Sequence, residues 1–137
     1  MAPKPLASPF VGNWTYRSFI NNPDANTEFN DLAFAVANLK IKASALEDLT
    51  GTIGGEGWEL KLNGSTFYGN PYTVRFQGVG TINDETWVYD YTGYLIPRWP
   101  SGVNQRPAIV GSVIRTVAHS KGKAAAGVVA SFIAVRQ

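Results

Sequence analysis

The sequence predicts an all-β protein, a single eight-stranded antiparallel up-and-down β-barrel. Three observations predict it. Short segments of alternating or β-branched residues recur along the chain, and turn signals separate most of them. The segments number about eight, enough to close a meander whose edges would otherwise stay exposed. Aromatic residues are plentiful, with four Trp, six Tyr and seven Phe, and they suit a barrel wall or interior.

Residues 1–9 hold three prolines and no apolar run, so they read as a flexible lead-in and not as a secretory leader. One domain then covers residues 10–137. The first strand is Val11–Phe19, followed by a polar loop over Asn21–Asn30. Asp31–Lys42 reads two ways: Leu32-Ala-Phe-Ala-Val-Ala suits a helical turn, whereas Asn38-Leu-Lys-Ile-Lys alternates as a strand does. The second strand is therefore placed at Ala37–Ala43, with room for a short helix before it. Leu49–Gly54 and Trp58–Asn63 form a hairpin across Gly55-Glu56-Gly57, and Gly64–Pro71 is the next turn.

Tyr72–Ile82 places Val74, Phe76, Gly78, Gly80 and Ile82 on one face, and Arg75, Gln77 and Val79 on the other. Asn83-Asp84 is a two-residue hairpin turn leading into Trp87–Leu95. That strand carries Trp87, Tyr89 and Tyr91 on one face, and Asp90, Thr92 and Tyr94 on the other. A proline-rich loop runs from Ile96 to Pro107. The last two strands are Ala108–His119 and Gly127–Arg136.

The opening Gly12-Asn13-Trp14, together with this meander, resembles the calycin superfamily of lipocalins, fatty-acid-binding proteins and avidins. The resemblance implies a calycin- or streptavidin-like barrel that holds a small molecule. It also implies that Trp14 plugs one end of the barrel under a cation from near the last strand, either Arg115 or Arg136. The avidin biotin site does not carry over. Tyr16 and Arg17 stand where an Asn is expected, and the last strand holds no Asp.

If Trp14 points inward, so do Tyr16, Ser18 and Ile20. Tyr16 and Ser18, with Tyr89 and Tyr91, would line a cavity suited to a flat, partly polar ligand, or else these rings simply fill the barrel. Arg115 and His119 share a strand face with Val113 and Val117. That face is either the outside or a polar cluster at the barrel mouth, where Arg115 would meet an anion and His119 would lie near the rim. One His and no Cys exclude a conventional structural metal site, and no cofactor is expected. There is no nucleophile elbow, phosphate loop or paired-carboxylate motif.

A net charge of +2 with scattered Lys and Arg argues against nucleic acid. No apolar run suits a membrane helix, and the absence of Cys fits a cytoplasmic setting. Only 16% of residues are charged. The last two strands are apolar on both faces: Val110, Ile114, Val128, Phe132 and Ala134 cannot all fit inside with Val113, Val117, Val129, Ile133 and Val135. A homo-oligomer is expected, in contact through Val129, Ile133 and the Trp99 loop. The leading expectation is a non-enzymatic small-molecule binder. The alternatives are an isomerase- or cyclase-like enzyme using Arg115 and His119, and an interaction module with a packed interior.

Overall fold

Eight strands close into a continuous antiparallel barrel in the computed structural model, which describes residues 8–43, 48–67, 69, 71–96 and 100–137. They are β1 (Gly12–Ile20), β2 (Ala33–Ala43), β3 (Asp48–Gly55), β4 (Trp58–Phe67), β5 (Thr73–Ile82), β6 (Glu85–Ile96), β7 (Ala108–Arg115) and β8 (Val129–Arg136). Each strand pairs with its neighbours in sequence, and β1 closes on β8 from Trp14 opposite Arg136 to Ile20 opposite Ala130. Closure leaves no sheet edge unpaired. No helix among the described residues is long and apolar enough to cross a membrane.

Local chemistry sets the corners. Asn83 and Asp84 both adopt positive φ, 51° and 63°, as the primed hairpin turn between β5 and β6 requires. The ambiguous stretch before β2 resolves into a short 3₁₀ helix, Phe29–Leu32, running directly into strand at Ala33. β2 therefore begins earlier than Ala37. The β1–β2 register slips between Ser18 and Phe19, whose partners are Ala35 and Ala33, leaving Phe34 as the extra residue of a bulge. β4 continues through Gly64 to Phe67. Gly64 reads as a turn residue but lies in the sheet, where a Cβ would fall 2.0 Å from the Arg75 carbonyl oxygen.

Pleating sorts the core. Leu39, Ile41, Leu49, Ile53, Leu62, Val74, Phe76 and Ile109 are buried together in one half of the barrel. Phe10 and Trp14 seal that end with no solvent exposure. The Trp14 indole N–H donates to the Phe10 carbonyl at 3.0 Å. The Arg136 guanidinium lies 5.7 Å from the indole centroid and donates to the Val11 carbonyl at 3.0 Å. Of the two candidate cations, Arg136 is the one that covers the plug, and Gly12 leaves room for its side chain.

Two strand ends are corrected at the opposite end. Ile20 keeps the inward face of Tyr16 and Ser18, opposite the buried Ala130, but is exposed because β1 has outrun its pairing with β2 there. β7 ends at Arg115, short of His119, and β8 starts at Val129, not Gly127. After Arg115 the chain stays attached to β6: the Thr116 N–H and hydroxyl both donate to the Val88 carbonyl. Val117 is consequently exposed. The last two strands sort cleanly: Ile109, Val113, Ala130, Phe132 and Ala134 are buried, while Ile114, Val129 and Ile133 are exposed. Trp99 lies outside the described residues.

Candidate functional site

The half of the barrel opposite the Trp14 plug is not filled. A cavity of about 370 Å³ opens there, lined by Tyr16, Tyr89, Tyr91, Arg115 and His119 together with Phe34, Ala35, Val36, Trp58, Leu60, Trp87 and Val113. Antiparallel alternation places them. β1, β3, β5 and β7 run toward this mouth, and the other strands start from it. The mouth therefore collects the late residues of β7 and the early residues of β2, β4 and β6.

Three rings form a layer between cavity and core. Tyr16 stacks on Phe132 at 5.3 Å, and Tyr91 meets both edge-on at 6.1 Å. Burial pushes the Tyr16 and Tyr91 hydroxyls well above the usual phenol range, so both stay neutral. Ser18 is fully buried but does not line the cavity. Its hydroxyl lies beside that of Tyr16, which it draws slightly downward, without forming a well-directed hydrogen bond.

A chain of polar groups crosses the mouth. Arg115 Nε donates to the Tyr89 oxygen at 3.0 Å, and the Tyr89 oxygen lies 2.6 Å from His119 Nε2. His119 Nδ1 is 2.8 Å from the Ser120 hydroxyl. With a neutral imidazole, the tautomer that uses each group has Tyr89 donating to Nε2 and Nδ1–H donating to Ser120. The imidazole stacks on the Trp87 indole at 3.9 Å. Burial and then the Arg115 charge lower the His119 pKa below its ordinary value, partly opposed by Glu85.

The loop after β7 carries His119 and is held from below. Ser120, Lys121 and Gly122 take positive φ, and His119 and Ala124 exchange backbone hydrogen bonds. The Glu85 carboxylate accepts from the Ser120 and Lys121 N–H groups at 2.8 and 2.9 Å. These bonds, led by the one from Lys121, hold its pKa below the usual carboxylate value.

Of the six binding residues expected from sequence, the structure brings five together: Tyr16, Tyr89, Tyr91, Arg115 and His119. It excludes Ser18. Arg115 and His119 belong to the mouth cluster and not to the outer surface. Phe34, Ala35 and Val36 precede the second strand expected from sequence at Ala37–Ala43 and are cavity residues that the sequence pattern does not indicate. The bulge that turns Phe34 toward Arg115, 5.0 Å from ring centroid to guanidinium, has no sequence signal. Trp58 and Leu60 were legible only as alternate positions of the fourth strand. Among the described residues no group of His, Cys, Asp and Glu is arranged to hold a metal ion.

Comparisons with protein-family models, with curated proteins and with solved structures gave no match.

Proposed function

We propose that this protein is a non-enzymatic barrel that binds a small, largely aromatic or hydrophobic molecule in the cavity at its open mouth. The observation that carries the proposal is the cavity itself: about 370 Å³ of space with aromatic walls and a linked polar cluster of Arg115, Tyr89 and His119 at its mouth. This is the usual makeup of a small-molecule site. A well-packed core would leave no such void, which weighs against an interaction module with a solid interior. The calycin resemblance of Gly12-Asn13-Trp14 agrees with the reading. Native mass spectrometry of freshly purified protein, followed by titration with small aromatic compounds, tests it. A retained or acquired ligand is expected. A barrel that carries nothing and takes up none of them would contradict it.

A second reading has one observation in its favour. The short Tyr89–His119 hydrogen bond faces the cavity and could move a proton to or from a bound substrate, as an isomerase or cyclase requires. Tyr89→Phe separates the two. A binder keeps its ligand with reduced affinity and has no turnover to lose. An enzyme would bind yet lose turnover about 100-fold or more.

The same proposal includes a homo-oligomer. Outside the barrel, Val110 lies opposite Ile133, and Ile114 opposite Val129. Tyr94 on β6 extends the row beside Val110. Ser112 and Ser131 separate the two apolar pairs, and Arg17 and Asp90 border them opposite Ile133 and Ile114; a second copy of the same face, apolar patches framed by one charge of each sign, is the partner that fits it best.

A further inference from the structure

The charge balance of the cavity narrows the class of ligand. Among the described residues no Asp or Glu lines it, and Arg115 is the only permanently charged group there. The guanidinium is drawn over two rings, 5.0 Å from the Phe34 centroid and 5.7 Å from that of Tyr89. Two hydrogen bonds fix it, Nε to the Tyr89 hydroxyl and Nη1 to the Ala125 carbonyl at 3.1 Å. Both acceptors are neutral, and Nη2 has no partner among the described residues. A half-buried guanidinium held only by neutral groups keeps most of its charge uncompensated, and an anion in the adjoining space gains a charge-assisted hydrogen bond. The other walls, Trp58, Trp87 and Phe34, are flat rings suited to stacking. Deeper in, the Tyr91 hydroxyl has no partner among the described residues and can donate to an acceptor on the ligand.

We infer that the ligand is a planar aromatic acid, its carboxylate paired with Arg115 at the mouth and its ring between the aromatic walls. The inference rests on the cavity being a binding site. A cationic ligand is disfavoured, because it would meet Arg115 with no carboxylate to balance it.

Calorimetric titration at neutral pH of a matched series tests this: a naphthalene carboxylate, its primary amide and the corresponding naphthylmethyl amine. The carboxylate is expected to bind about tenfold or more tighter than the amide, as a charge-assisted bond to Arg115 provides. The amine is expected to bind weakest. In Arg115→Gln the acid and the amide should converge to within about twofold, with the amide's affinity little changed. Should that variant fail to fold, the acid–amide comparison on the unaltered protein decides alone. An amide that binds as tightly as the acid overturns the aromatic-acid inference and leaves the cavity as a neutral binding site. Failure of all three compounds to bind overturns the binding reading itself.

Discussion

Trp14 is the largest fully buried side chain among the described residues. It is fully buried, its N–H is satisfied by the Phe10 carbonyl, and Arg136 covers its face. Trp14→Ala removes all three and leaves a large void at the closed end. The cost should be about 3–5 kcal/mol in urea unfolding. His119 predicts a pH effect. Arg115, Tyr89, Glu85 and Ser120 surround the imidazole, and burial with the Arg115 charge holds its folded pKa below 6.5. As pH falls, the unfolded chain takes up this proton first. This group's contribution to stability is therefore full above about pH 6.5 and declines as pH drops toward the folded pKa. NMR titration of the single His should show a midpoint below 6.5, and His119→Gln should flatten the stability profile across that window. A midpoint above 6.5 would mean that the ring is stabilised as a cation by Glu85.

At the scale of elements, the pairs of strands that were easy to read are those with a turn of known chemistry between them. Alternation and Asn83-Asp84 define β5 and β6 to within two residues at each end. Trp14 rests on the Gly12-Asn13-Trp14 resemblance, and alternation then carries Tyr16 with it and groups Tyr89 with Tyr91, because a pleat fixes which residues share a face. Two features were not legible. The bulge at Phe34 depends on how β1 and β2 settle against each other, and the run Leu32–Ala37 holds no turn residue to announce it. The end of β7 depends on Thr116 bonding across to Val88, a contact between distant positions. Thr116 and Val117 continue the β-branched pattern and give no sign of the break. Gly111 offers a test of the sheet itself. It pairs with Gly93, and a Cβ there would lie 1.9 Å from the Thr92 carbonyl oxygen. Gly111→Ala must push β6 and β7 apart and should cost about 2 kcal/mol or more, measured by thermal unfolding. A neutral result would show that the two strands slide freely past each other.

The whole molecule is a closed barrel, sealed and packed in one half and open in the other, with an apolar outer face on β7 and β8. That face predicts self-association. Ile133→Lys, on the outer surface, should leave the barrel folded and convert an oligomer into monomer in sedimentation velocity. A monomeric unaltered protein at high concentration would refute the oligomer. The open half is proposed to take up a ligand, and the four tryptophans allow a direct test. Trp58 and Trp87 line the cavity, whereas Trp14 is buried at the far end under Arg136. In a nitrogen-15 NMR titration with naphthalene carboxylate, the Trp58 and Trp87 indole N–H signals should shift and saturate together while the Trp14 signal stays in place. If the cavity indoles remain unmoved by this and other small aromatic compounds, or if Trp14 alone responds, the open half of the barrel is not a binding site.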